Sequence, residues 1–239
     1  MNYRPGSFRH LPDVVKNLLI INGLFFLATI TLNGKGFDLI KFFGLHQFQS
    51  PDFMPHQVVT HLFMHANFTH LFFNMFALWM FGKVLENVWG GKKFLIYYIT
   101  TGLGAAFIHL AISQYQIIEL SSILSNETIE LAKQGRYSMI DPNSLRLTQL
   151  ISTPTVGASG AVFGVLLAFG MLFPNALLYI YFAVPIKAKY FVIIYGIFEL
   201  YAGLTNNPAD NVAHFAHLGG MIFGYLLIKY WRKSSNNFY

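Results

Sequence analysis

The chain has 239 residues, of which 54% are apolar, 17% aromatic and 11% charged, with 25 Phe, 13 Tyr and a mean hydropathy of +0.47. A soluble domain carries roughly 25% charged residues, so these numbers exclude an ordinary water-soluble exterior, and disorder with it; they describe a surface that is largely lipid. The lack of Cys excludes disulfide scaffolds, thiolate metal centres and cysteine nucleophiles, while the net charge of +6 would indicate nucleic acid only if the basic residues clustered on one face.

They do not cluster. Six apolar stretches follow one another, at residues 14–32, 58–81, 94–112, 156–173, 190–204 and 212–231, most of them near the ~20 residues that a helix needs to cross hydrocarbon. The first begins near residue 14, is already span-length and lacks a small-x-small cleavage site, so it is not expected to be a signal peptide. Residues 113–155 form a long loop between the third and fourth stretches, and the apolar spacing within 117–133 predicts a short amphipathic surface helix. The fifth stretch is short; an apolar run at 177–186, bracketed by Pro174, Pro185, Lys187 and Lys189, is expected to be an interfacial connection or a lead-in to it. Of the 26 Asp, Glu, Lys and Arg residues, only Lys16, Glu199 and Lys229 fall within these stretches, and both lysines lie close enough to the ends to snorkel.

The expected fold is therefore an all-α polytopic membrane protein of six transmembrane helices. Residues 1–13 form an N-terminal segment, 14–232 the bundle and 233–239 a tail. Alternate connections divide Lys and Arg eleven to five: Arg4, Arg9, Lys16, Lys83, Lys92, Lys93, Lys187, Lys189, Lys229, Arg232 and Lys233 against Lys35, Lys41, Lys133, Arg136 and Arg146. The richer side is the cytoplasmic one, which puts both termini there and the 113–155 loop outside. The basic balance is thus mostly a topology signal, with attraction to anionic lipid headgroups, and no nucleic-acid partner is expected.

Charge is kept out of the stretches, yet six of the nine histidines lie inside them: His61, His65, His70, His109, His214 and His217. Polar groups at membrane depth face the bundle interior or a water-filled cavity and mark sites. On a continuous second helix His61 and His65 would be one turn apart, as would His70 and Asn74, the latter pair projecting from one face. Interhelical hydrogen bonding accounts for a single such residue more readily than for a pair. The fourth stretch opens with Gly157-Ala158-Ser159-Gly160 and continues to Gly164, small residues that permit close helix packing. Ser159 also falls in a first helical turn, where free N–H groups and the helix dipole favour a nucleophilic oxygen and its oxyanion. The sixth stretch opens with His214 and His217 and carries Gly220 and Gly224 on the His217 face. A Gly160/Gly164 face is the natural partner of that groove, and the approach would bring Ser159 to His217. A serine hydroxyl beside a neutral imidazole is a nucleophile and general-base pair, and nearby donors would hold the oxyanion of acyl transfer. No Asp is placed to orient the histidine, so packing is expected to hold its ring.

At these residues the chain resembles the rhomboid family of intramembrane serine proteases, over about residues 56–231. The motif Gly157-Ala158-Ser159-Gly160 is similar to the family's nucleophile motif, and Ala216-His217-Leu218-Gly219-Gly220 to its histidine motif. His70-x-x-x-Asn74 is similar to its oxyanion pair, and Gly82-x-x-x-Glu86-x-x-x-Gly90 to its signature at the end of the second helix. The resemblance implies a rhomboid-like six-helix core with an outward-opening wet cavity, a Ser159/His217 dyad, and an oxyanion hole from His70, Asn74 and backbone near Gly157 and Ser159. It also implies transmembrane protein substrates, cut in or near a membrane segment, and no cofactor or metal. Three departures stand out: residues 33–56 lack the family's frequent Trp-Arg pair, Phe163 occupies the place of a Tyr that stacks on the histidine, and the 113–155 loop is long.

Glu86 is expected to fasten the second connection, and Glu199 to be a neutral, hydrogen-bonded structural acid; His65 is expected to help gather water or substrate. The main rival is a non-catalytic membrane protein with a His-based metal or haem site, since His61/His65 and His214/His217 have helical ligand spacings. It would leave the serine motif without a use, HExxH is missing, and no paired intramembrane carboxylates suggest a transporter. The short terminal segments favour a bacterial inner membrane; the oligomeric state is not encoded in any legible pattern.

Overall fold

The computed structural model describes residues 11–138, 141–180, 183–205 and 212–234. Helix α1, Asp13–Asn33, follows the first apolar stretch, with Pro12 at its N-cap. After the short helix α2, Leu39–Phe43, the second stretch departs from expectation. Instead of one helix from residue 58 there is a single turn, α3, Gln57–Thr60, then a 3₁₀ turn, His61–Phe63, and an extended Met64. The helix starts only at Phe68, because the Asn67 side chain accepts the His70 N–H and caps a new N-terminus. From there α4, Phe68–Ala77, a π-helical turn, Leu78–Gly82, and α5, Lys83–Trp89, run on as one 22-residue helix that outlasts the predicted end. His61 and His65 therefore do not share a helix.

Helix α6, Gly91–Ile123, has 33 residues and absorbs the start of the expected loop. The predicted amphipathic helix is split at Leu124 and Ser125; Ser125 caps α7, Asn126–Lys133, and Asp141 caps α8, Pro142–Ser152. α7, α8 and the end of α6 bury Ile117, Ala132, Leu147 and Ile151 in a small core of their own. Helix α9, Ser159–Leu172, has 14 residues, or about 21 Å at 1.5 Å per residue. The apolar run expected as a connection forms an antiparallel hairpin, β1, Leu177–Ile180, and β2, Val184–Lys187, with Leu178 opposite Ile186. Helices α10, Ala188–Thr205, and α11, His214–Ser234, complete the chain.

Among the described residues, four helices are long and apolar enough to cross a membrane: α1, Phe68–Trp89, α6 and α10. The short α9 lies inside the bundle, where between Gly160 and Leu172 only Leu167 falls short of full burial apart from Met171. It packs between α6 and α11, and its glycines let both come close. A methyl group on Gly220 would run into the Gly160 carbonyl, one on Gly160 into Ala105, and one on Gly164 into Thr101. The expected meeting of the two glycine faces thus occurs at Gly160 and Gly220. One turn further on α6 intervenes, its Tyr97 hydroxyl lying against Gly224 and donating to the Gly164 carbonyl at 2.8 Å.

Candidate active site

The segment leading into Ser159 is sewn down on three sides. Leu45 and Thr155 exchange both backbone hydrogen bonds, at 2.9 and 2.8 Å, the Thr155 hydroxyl bonds His109 Nε2 at 2.7 Å, and the Gly157 N–H donates to the His61 carbonyl at 3.0 Å. His61 and His109 are thereby fasteners of this segment. Gly157 has φ +126°, a region that favours glycine. A Cβ there would also lie 2.7 Å from His70 Nε2 and 3.6 Å from Ser159 Oγ, so the imidazole and the hydroxyl flank one point. Because its N–H is already donated to His61, Gly157 supplies backbone space and a turn rather than the free oxyanion donor expected of it. The free donors are the N–H groups that open α9, where the first turn has no intrahelical partners; Val162 is the first to close a bond, to the Ala158 carbonyl at 2.9 Å.

Ser159 begins α9 and His217 lies in the first turn of α11, and the contact of Gly160 with Gly220 sets their separation. Ser159 Oγ is 2.8 Å from His217 Nε2. The His217 ring stacks on Phe163, with centroids 4.1 Å apart and planes 5° from parallel, so the phenyl ring performs the stacking that the sequence led one to expect. Asn74 is buried one turn along α4 from His70, with its amide donating to the His70 carbonyl at 2.9 Å. His65 is buried edge-on against the His70 ring at 5.1 Å.

One expectation is corrected outright. Packing does not act alone on His217: its Nδ1 lies 2.9 Å from Glu199 Oε2, and His214 Nδ1 lies 2.7 Å from the same oxygen. Glu199 is 3% exposed and both imidazoles are 8% exposed. Its helix, α10, turns a wholly lipid-like face outward, with Ile193, Ile197, Phe198 and Tyr201 exposed. The opposite face carries Gly196, Glu199 and Gly203, spaced three and four apart. Gly196 lies against Met221, and Gly203 against His214 and Phe215. Two glycines one turn either side of the acid let α10 come close enough for a short reach to α11. That spacing around the only acid in the predicted spans was the signal available in the sequence.

His214, His217 and Glu199 are also the one group among the described residues whose spacing could hold a metal ion, with ligand atoms within 4.8 Å of one another. The two imidazole–carboxyl hydrogen bonds already account for that proximity. Of the two histidine pairs on which the metal or haem reading drew, His61 and His65 do not pair along one helix: His61 Nδ1 is bonded to the Gln57 carbonyl and His65 stands against His70.

The fold is that of an integral, multi-pass helical membrane protein with a hydrogen-bonded serine and histidine at its centre. Residues 52–234 match the Rhomboid domain, and the chain belongs to the rhomboid family. It is 27% identical over 211 residues to RHOMBOID-like protein 12, mitochondrial, of Arabidopsis thaliana, covering 87% of this chain and 55% of that one. It is 28% identical over 177 residues to Rhomboid protein 1, mitochondrial, of Saccharomyces cerevisiae, covering 74% and 42%. It is 30% identical over 175 residues to Rhomboid protease AarA of Providencia stuartii, covering 70% and 52%. The chain spans about half the length of these relatives. Two of the three are mitochondrial, so the bacterial inner membrane expected from the sequence is not supported.

Proposed function

We propose that the chain is an intramembrane serine endopeptidase that cuts membrane-anchored proteins within or near a transmembrane segment. The observation that carries this reading is the 2.8 Å approach of Ser159 Oγ to His217 Nε2 at the start of a helix with unpaired N–H groups. His217 Nε2 takes the Ser159 proton as Oγ bonds the substrate carbonyl carbon. The tetrahedral oxyanion is held by His70, Asn74 and the N–H groups that open α9, beside the space that Gly157 leaves. When the C–N bond breaks, the proton passes from Nε2 to the leaving amine, and the acyl group stays on Ser159. Water then gives its proton to Nε2, attacks the ester, and Ser159 recovers a proton as the acid leaves.

In this reading residues 14–232 form one catalytic domain of six crossing helices. α9 crosses as an interior member and α11 with Ile222, Leu226 and Tyr230 turned outward, both termini lie on the Lys/Arg-rich cytoplasmic side, and α7 and α8 cap the outer face. The AarA relative's name, a rhomboid protease, supports the same chemistry.

The test is cleavage of a tagged single-span reporter co-reconstituted with the purified protein in liposomes. Wild type is expected to cut, and Ser159→Ala and His217→Ala to leave the reporter intact. A serine-directed fluorophosphonate should label wild type at Ser159. Cleavage that survives Ser159→Ala, or that a chelator abolishes, overturns the proposal and returns the metal reading.

A further inference from the structure

A serine and histidine alone leave a question of tautomer. His217 can serve as a base only if Nε2 is bare, which requires the ring proton on Nδ1. In the structure a carboxylate oxygen stands 2.9 Å from Nδ1. With two imidazole nitrogens on one of its oxygens, Glu199 is taken as ionised rather than as the neutral acid expected from the sequence; a carboxylate only accepts, so this contact draws the proton to Nδ1 and leaves the Nε2 lone pair facing Ser159 Oγ at 2.8 Å. The same oxygen is 2.7 Å from His214 Nδ1, which puts a second donor on the acid and fixes its direction. Phe163 fixes the plane of the His217 ring; Glu199 fixes its rotation within that plane and which nitrogen is bare.

We propose that Glu199 is a positioning residue of the active site, held by His214, that makes the pair a Ser159–His217–Glu199 triad. The inference rests on the protease reading above. Glu199 acts through His217 and touches no substrate. As Ser159 gives its proton to Nε2, His217 becomes an imidazolium, and the buried carboxylate beside Nδ1 stabilises that cation; the Nδ1 proton stays on the ring throughout. No oxidant, metal or further reactant enters the step. The carboxylate comes from a helix that turns its remaining face to lipid, and the Gly196 and Gly203 contacts have no other evident use than to let it approach α11.

The experiment compares wild type, Glu199→Gln, Glu199→Asp and Ser159→Ala as full-length protein in liposomes, with the single-span reporter and with fluorophosphonate labelling of Ser159. Gln keeps the shape but loses the charge and allows the amide to donate to Nδ1, which favours the wrong tautomer. Replacing the acid of the Ser-His-Asp triad by its amide lowers kcat about 10⁴-fold. Here, with Phe163 still holding the ring, a fall in kcat and in labelling rate of about 10²-fold or more is expected, with KM and thermal midpoint little changed. Asp should recover part of it. A Glu199→Gln protein that is folded and turns over within about threefold of wild type overturns the inference.

A second measurement needs no variant to fold. In ¹⁵N-histidine-labelled wild type, His217 is expected as the Nδ1–H tautomer at neutral pH, and the Nε2–H tautomer overturns the inference. The two readings fail separately. Cleavage persisting in Ser159→Ala defeats the protease assignment, whereas an active wild type, a dead Ser159→Ala and a fully active Glu199→Gln defeat only the triad.

Discussion

Two carboxylates are buried to the same degree at opposite ends of the bundle, Glu86 at 5% exposure and Glu199 at 3%, and they have opposite kinds of partner. Glu86 accepts the backbone N–H groups of Val14 and Val15 at 2.9 and 2.8 Å, one on each oxygen, and so closes the first turn of α1. Those donors would otherwise be orphans at a helix N-terminus, where the dipole also favours a negative charge. Glu199 takes two imidazoles on a single oxygen, and one of those imidazoles reaches a serine. Burial does not distinguish the two acids; the chemistry of the donor does. Backbone donors can only hold a shape, whereas imidazole donors can change protonation state, so the first end is read as a fastener and the second as a site.

The largest predicted effect falls on the axis that both ends share. Gly220→Val would drive a branched side chain into the Gly160 backbone, where no flexible side chain can yield. A loss of about 3 kcal/mol is expected, seen as a lower midpoint in thermal unfolding in detergent, with α1 anchoring and reporter cleavage failing together. If cleavage fails while the unfolding midpoint is unchanged, the contact serves the site alone and the two ends are independent.

Glu86→Ala comes next and separates the ends. It removes two charge-assisted hydrogen bonds, one of them buried, and should destabilise the protein by about 2 kcal/mol. Turnover per folded molecule should stay at the wild-type value, measured by active-site titration with fluorophosphonate. A fall in turnover with the fold intact would mean that the α1 end reaches the site, and the contrast with Glu199 would dissolve.

The contrast also shows which parts of the structure could be read beforehand. The extents of α1 and α10 follow the apolar stretches closely, because lipid-facing residues advertise a span by hydropathy alone. Ser159 and His217 were legible because polar residues at membrane depth are costly. The break before Phe68 was not: Met64 leaves the helix without any loss of hydropathy, and the cue was the capping Asn67 ahead of Phe68-Thr69-His70. Nor was the length of α6, whose last turns leave the bundle and pack on α7 and α8 through Ile117. Glu199 was visible as the one acid in the stretches, yet its partners depend on how closely α10 approaches α11. Hydropathy counts what a helix shows to lipid; the approach is set by Gly196 and Gly203 on the hidden face.

A smaller effect is expected at the ring that faces His217. Phe163→Leu keeps an apolar side chain but loses the parallel stacking at 4.1 Å. Aromatic pairs contribute about 0.5–1.5 kcal/mol beyond their buried area, so turnover should fall about two- to tenfold by the same arithmetic. Phe163→Tyr should change it little. A drop with Phe163→Leu as large as that with Glu199→Gln would mean that the ring plane, not the carboxylate, governs the base.

The smallest effect concerns the loop that anchors the serine-bearing segment. His46 adjoins Leu45, whose backbone pairs with Thr155, and it is buried, with Nε2 bonded to the Lys41 carbonyl at 3.1 Å. Burial holds its pKa below the ordinary histidine value, more strongly than the Lys41 carbonyl and the Asp52 charge raise it. The folded protein therefore binds this proton less readily than the unfolded chain does. His46 favours the fold fully above the unfolded pKa of about 6.5, and that contribution declines as pH falls from there towards the lower folded value. The thermal midpoint should drop between pH 7 and pH 5, and His46→Gln should flatten part of the slope. If His46→Gln leaves the slope intact, the assignment of a titrating group to this loop is wrong.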